Sequence, residues 1–329
     1  MKHNSKQNIE NLSDVLIQPP LVTVVVLSYN SAPTIVETLD SIKAQTYENL
    51  ELIVSDDCSP DKKTIEIIQR WLEINGSRFA HVELVKAEKN TGVSDNINRG
   101  VAKSHGKWIK SIAGDDLLIP IAIEEYVNFV TNHPEKIRMC VCDVEPFVDE
   151  GEVPEDCKKK YEKYFRAEKE SYPEQYLRCM QENIFVGPGF IYTRDLYDDV
   201  GGFSSEYGNG EEWPFVYKVL RGGNQIYTIE KKLVKYRFSQ NSLSHSKSVL
   251  GLRNKNLELS TCRFFFALPF KDLLREHRYF IAWDRALYYG SKKLYYEYDG
   301  ASWAMVIMRL SRFLSPYAYW RKFQSIIHK

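Results

Sequence analysis

Lys110-Ser111-Ile112-Ala113-Gly114-Asp115-Asp116-Leu117-Leu118 runs an apolar, strand-like lead-in into a glycine, two adjacent carboxylates and a second apolar segment that Pro120 breaks. Like charges side by side repel, and an acid pair at a strand end faces solvent or a site rather than a core. A hard divalent cation carrying phosphate oxygens would compensate both acids. A solvated turn is the competing reading, since Gly-Asp-Asp is ordinary turn chemistry.

The flanking segments shift the balance toward a site. Upstream, Leu21-Val22-Thr23-Val24-Val25-Val26-Leu27 is apolar on both faces, which suits a buried parallel strand, and Ser28-Tyr29-Asn30-Ser31 closes it. Ile35, Leu39 and Ile42 then recur at helical spacing over residues 34–45. The alternation repeats with a strand at 50–54 ending in Ser55-Asp56-Asp57-Cys58-Ser59, a helix at 64–74, a strand at 82–85 and the loop Glu88-Lys89-Asn90-Thr91-Gly92. A helix at 93–104 and the strand at 108–112 complete the series and deliver the acids. Four strand–helix repeats predict a parallel sheet with right-handed crossovers, whose ligand lies beyond the carboxyl ends of the strands. Tyr29-Asn30, Asp56-Asp57, Asn90 and Asp115-Asp116 all fall on that one rim. No GxGxxG follows the first strand and no GxxxxGK[ST] occurs, which argues against dinucleotide and P-loop sites. Without a glycine-rich cradle, a diphosphate needs another neutralising group, and a divalent cation on Asp116 supplies it.

Further along, a helix is expected at 121–132 and a strand at 139–144, with Cys140 and Cys142 on one face of it. A tight turn is expected at Gly187-Pro188-Gly189 before a strand at 190–192, loop over 195–210, a helix opened by Glu211-Glu212-Trp213-Pro214, and a strand pair at 226–229 and 233–238. Residues 250–329 read as a helical C-terminal extension. The expected division is a flexible lead over 1–20, a catalytic domain over 21–248 and the extension over 249–329.

Equal numbers of basic and acidic residues, 44 each, exclude the global field of a nucleic-acid binder. Six cysteines without CxxC pairing read as reduced thiols rather than a zinc site or disulfide framework. The polar N-terminus and the lack of a spanning-length apolar run predict a cytoplasmic protein.

The ordered set resembles glycosyltransferase family 2, enzymes of the GT-A fold. It is carried by residues 24–30, Gln45-Thr46-Tyr47-Glu48-Asn49-Leu50 with the strand that follows to Ser59, Asn90-Thr91-Gly92-Val93-Ser94, Gly114-Asp115-Asp116 and Glu211-Glu212-Trp213. The resemblance spans about residues 21–245. It implies an α/β, Rossmann-like, mostly parallel central sheet flanked by helices, and inverting transfer of a sugar from a nucleotide-sugar, a UDP-sugar first, to a glycan or lipid-linked glycan acceptor. By the same resemblance Ser28, Tyr29 and Asn30 line the nucleotide pocket, Asp57 binds the base, Asn90 and Gly92 shape it, and Asp115 reaches the ribose or sugar. Asp116 holds Mn²⁺ or Mg²⁺, with His245 as a supplementary ligand. Glu212 is the general base, although Glu211 beside it is open to the same role. Arg237 pairs either with a phosphate or acceptor group or in a structural salt bridge. Ala113 departs from the family's Asp-x-Asp-Asp, and Glu212 stands where Asp is frequent. A nucleotidyltransferase and a non-catalytic sugar-binding relative are the competing functions. Trp303, Phe313, Tyr317, Tyr319, Trp320 and Phe323, with Arg309, Arg312, Arg321 and Lys322, have the composition of an interfacial segment, for the inner membrane face or, equally, for packing on the catalytic domain or a homodimer.

Overall fold

Runs of β-branched residues alternate with amphipathic helices through the first half of the chain. In the computed structural model, which describes residues 19–153, 155, 170–208, 210–238, 254–315 and 319, they form β1 (Val22–Ser28), α1 (Ile35–Lys43), β2 (Leu50–Asp56), α2 (Lys62–Asn75), β3 (His81–Lys86), α3 (Val93–Ala102) and β4 (Trp108–Ala113). Then come β5 (Leu117–Leu118), α4 (Ala122–Asn132), β6 (Met139–Phe147), α5 (Tyr172–Cys179), β7 (Phe190–Thr193), α6 (Arg194–Asp199), α7 (Glu212–Arg221) and β8 (Tyr227–Arg237). Four helices end the described chain: α8 (Lys255–Ala267), α9 (Pro269–Arg275), α10 (Tyr279–Glu297) and α11 (Ser302–Ser311).

One eight-stranded sheet runs β3-β2-β1-β4-β7-β6-β8-β5. Its first four strands are parallel, so Ser28, Asp56, Lys86 and Ala113 end on the same rim. β7 enters antiparallel to β4 and β6, β8 runs parallel to β6, and β5 pairs antiparallel with β8. Alternate residues of β1 feed two cores. Val25 joins Ile53, Ile97, Val101 and the side chains of α7 on one face, whereas Val22, Val24 and Val26 join Ile35, Leu39, Ile42 and α4 on the other.

Two local expectations are corrected. The strand pair at 226–238 is the single strand β8, in which Ile229 pairs with Cys142 and Lys232 with Asp143. Glu230, Lys231 and Lys232 interrupt the apolar alternation as a turn would, but the register shift turns them out to solvent while Leu233 and Val234 stay buried. The expected loop at 195–210 begins instead with helix α6, whose first turn is capped by the Thr193 side chain accepting from Leu196 N at 3.3 Å.

The C-terminal helices fill the first core. Phe264 and Phe265 are buried, Phe264 lies edge-on to Trp213 of α7 at 5.0 Å, and Phe265 stacks on Tyr289 at 4.3 Å. Each such ring is worth about 2–3 kcal/mol of burial. Cys140 and Cys142 share one face as expected, and the five described cysteines are free thiols. No helix among the described residues is long and apolar enough to cross a membrane.

Candidate active site

The parallel half of the sheet brings the polar strand ends together. Ser28 is turned inward, wholly buried, and its Oγ donates to Asp56 Oδ2 at 3.0 Å. Asp56 also accepts from Ser59 N at 2.9 Å and Ser59 Oγ at 2.6 Å, and Asn30 N donates back to Ser59 Oγ at 2.8 Å. Asn30 adopts φ 54°, a left-handed conformation that asparagine tolerates. The exchange leaves Tyr29 outermost, 47% exposed.

Asp57 points at a loop rather than into open space. Its carboxylate accepts from Thr91 N, from Thr91 Oγ1 at 2.7 Å, from Gly92 N at 2.7 Å and from Arg99 Nη2 at 3.1 Å. Gly92 turns at φ 87°, where a side chain would be strained, and starts α3. Asn90, just before the clamped pair, is exposed. Arg99 also donates to Asn96 Oδ1 at 2.9 Å, so α3 locks the loop from behind.

The acid pair is held from both sides. Gly114 N donates to Leu27 O at 2.8 Å, and a Cβ there would stand 3.0 Å from that oxygen and from Ser31 Oγ, so a side chain would push the chain away from β1. Asp116 is 1% exposed; its Oδ1 accepts from Arg237 N at 2.9 Å, whereas its Oδ2 is buried with no hydrogen-bond partner. Burial, then the neighbouring Asp115 charge, pushes the Asp116 carboxyl well above the usual range against the pull of the Arg237 N–H and the Lys110 charge. Asp115 is also raised by burial, with Arg237 opposing. An orphaned buried acceptor costs about 1–3 kcal/mol, and a divalent cation on Oδ2 would remove that cost along with the repulsion between the acids. The donor chemistry thus fits a hard cation.

Arg237 is the structural bridge of the two readings. Its side chain is 5% exposed, pairs with Glu37 and Asp149, donates from Nε to Asp115 O at 2.8 Å and lies over the Phe147 ring at 4.6 Å.

Glu212 opens α7, which Trp213 anchors by donating from Nε1 to Cys179 O at 2.7 Å. Glu212 Oε1 accepts from Gly187 N at 2.8 Å and Oε2 from Asn183 Nδ2 at 3.2 Å. A Cβ on Gly187 would come within 2.4 Å of Oε1, so the missing side chain makes room for the carboxylate. The turn after Gly187 is pinned by Lys110, wholly buried in β4, whose Nζ donates to Pro188 O and, at 3.1 Å, to Phe190 O. Burial pulls the Lys110 ammonium down to about 8. Glu211 precedes α7 without a side-chain cap to it; its Oε2 accepts instead from Gly210 N at 3.2 Å, and burial raises its carboxyl. His245, Tyr317, Trp320, Arg321, Lys322 and Phe323 lie outside the described residues.

Sequence reasoning missed Lys110, Asn183, Gly187 and Arg99 as parts of this arrangement. Lys110 gave a signal, a cation alternating inside an apolar strand; the others act through spatial contacts that leave no pattern in the chain.

The family model described as Glycosyl transferase family 2 matches residues 23–201, more than half of the chain. The chain belongs to glycosyl transferase family 2. Among family relatives, an uncharacterized glycosyltransferase of Rickettsia typhi is 25% identical over 66% of this chain and 64% of its own length. Uncharacterized protein y4gI of Sinorhizobium fredii is 24% identical over 72% of this chain and 24% of its own. The chain therefore spans less than two thirds of these relatives. Among solved structures, S. aureus TarS 1-349 in complex with UDP-GlcNAc superposes with a TM-score of 0.60 at 18% identity, over 88% of this chain and 79% of that one. The mannosyltransferase PcManGT of Pyrobaculum calidifontis, in complex with GDP-Man and Mn²⁺, gives 0.58 at 20% identity over 94% and 84%. The family 2 chain has the GT-A fold: a mixed, curled sheet flanked by helices with further helices at the C-terminus.

Proposed function

We propose that this family 2 chain is an inverting glycosyltransferase that moves a sugar from a nucleoside diphosphate sugar, a UDP-sugar first, to an acceptor hydroxyl of a glycan or lipid-linked glycan, in bacterial surface polysaccharide synthesis. The observation that carries the reading is the buried Oδ2 of Asp116, an acceptor without a hydrogen-bond partner just beyond the end of β4, where a diphosphate would lie. Asp116, with His245 as second ligand, would hold Mn²⁺ or Mg²⁺, which when bound offsets the negative charge developing on the leaving diphosphate. TarS with UDP-GlcNAc and PcManGT with GDP-Man and Mn²⁺ support the donor class.

The chain's own residues do the rest. Tyr29 and Asn30 on one side and Asn90 and Gly92 on the other border the nucleotide. Asp57 fixes the base pocket through the Thr91–Gly92 amides it clamps. Asp115 serves the ribose or sugar. Glu212, its carboxylate aimed by Gly187 N and Asn183, takes the acceptor proton, so that the hydroxyl oxygen attacks the anomeric carbon opposite the departing diphosphate and the centre inverts. Glu211, tied to its own turn, is the lesser candidate for that proton.

A donor-hydrolysis panel of nucleotide sugars with Mn²⁺ tests the proposal. At least one donor should turn over, and Asp116→Ala should abolish the turnover and the Mn²⁺-dependent gain in nucleotide affinity. A panel without turnover but with nucleotide-sugar binding would make the chain a non-catalytic relative.

A further inference from the structure

At the opposite rim, where the strands begin, a second group of ligating side chains converges. Glu51, the second residue of β2, is wholly buried, an unusual place for a carboxylate. Its two oxygens do different work. Oε2 accepts from Thr23 Oγ1 at 2.5 Å and from His105 N at 2.7 Å, which ties β1, β2 and the α3–β4 loop together. Oε1 faces His105 Nδ1 at 2.6 Å. His81, the first residue of edge strand β3, sets its ring edge-on to that of His105 with centroids 5.6 Å apart. One ligand atom from each of Glu51, His81 and His105 lies within 4.8 Å of the other two. Glu83, two residues along β3, pairs with His81 at 3.8 Å and with Lys103 at 3.4 Å, which keeps the Lys103 ammonium engaged at the edge.

We propose that Glu51, His81 and His105 form a second, distal site for a borderline-soft divalent ion of the Zn²⁺ class. Ligands at about 2.0–2.2 Å from one zinc stand roughly 3.3–3.5 Å apart, so rotation of the two imidazoles seats an ion by opening the 2.6 Å contact of His105 with Glu51 and drawing His81 in from within 4.8 Å. Both rings are exposed enough to make it, His81 at 47% and His105 at 69%, with His81 turning away from Glu83, while the Glu51 carboxylate is fixed. Two imidazoles and one carboxylate select Zn²⁺ over Mg²⁺ or Mn²⁺, the reverse of the all-oxygen preference expected at Asp116. Asp56 on the catalytic rim is five residue steps along β2 from Glu51, about 16 Å. The ion would join the starts of β2 and β3 to the α3–β4 loop and open its remaining positions to water.

Tag-free, chelator-stripped protein carrying Asp116→Ala, which silences the acid pair, is titrated with ZnCl₂ calorimetrically and with CoCl₂ by visible absorption. The expected result is one ion per chain with a Kd of about 10 µM or tighter, together with Co²⁺ absorption bands. His81→Ala and His105→Gln, the latter keeping a donor within reach of the buried Glu51 Oε1, should each weaken binding at least about tenfold and remove the zinc-induced rise in melting temperature. UDP added to the protein with Asp116 intact should leave Zn²⁺ affinity at this site unchanged. Binding that neither histidine substitution alters, or no binding at 10 µM to 1 mM Zn²⁺, would overturn the proposal.

Discussion

Single atoms decide most of the candidate chemistry. Because Glu212 is aimed by one backbone amide and one side-chain amide, Glu212→Gln keeps the shape and removes the carboxylate we propose as the base. Transfer should fall by about 10²–10⁴ in kcat while the donor Kd stays within twofold, read by steady-state kinetics and calorimetry. Gly187→Ala tests the same point from the other side. Its Cβ would displace Glu212 Oε1, so kcat should fall by at least about tenfold with donor affinity intact. Asp143 gives a pH signature of its own: burial, then repulsion from Glu230, raises its carboxyl to about 7 against the pull of Lys232. A folded-state pKa above the unfolded value means the native state holds the proton more tightly, so stability is lost as pH rises from about 4 to 7 and is flat beyond. Asp143→Asn should therefore melt higher than the parent at pH 8 and equally at pH 4, in thermal scans across that range. The rise from 3.8 to about 7 caps the gap at about 4 kcal/mol. The identity of Asp57 was plain in the chain, whereas its engagement with Thr91, Gly92 and Arg99 was not, because that engagement depends on how α3 is seated on the sheet.

At the scale of elements, period and turn chemistry made β1 to β4 and their helices legible. Strands that are mostly apolar and lie between amphipathic helices admit few other arrangements. β8 was misread because its exposed Glu230-Lys231-Lys232 and a true turn share one composition, and only the β6 register separates them. The Gly187 turn shows how one element serves another. Lys110 reaches out of β4 to hold the carbonyls of Pro188 and Phe190, and the turn in turn holds Glu212. Lys110→Met fills the volume but strands those carbonyls in the core, so the protein should lose about 2–4 kcal/mol in urea melts. A larger share of its kcat than of its donor affinity should go as well.

For the molecule as a whole, composition announced an aromatic C-terminus without saying where its rings go. Phe264, Phe265 and Tyr289 complete a core, while Phe280 at 72% exposure, Trp283, Trp303, Leu310 and Phe313 remain outside. That division needed the packing of α8 and α10 against α7, which no local pattern encodes. We propose that the outer set meets the inner membrane face. Trp303→Ser with Phe313→Ser should cut co-sedimentation with anionic vesicles at least about fivefold without lowering the melting temperature. Unchanged co-sedimentation, with loss of a dimer in light scattering, would assign that surface to self-association.

Arg237 also has a meaning in time. It meets Glu37 across 200 residues of chain and supplies the N–H that orients Asp116. On the ribosome, the first four strands emerge and can pair long before this arginine exists. Until residue 237 has left the exit tunnel, the nascent acid pair has the Lys110 charge but neither the backbone donor nor the guanidinium of Arg237, so the Asp115–Asp116 end of the sheet is completed after the sheet itself.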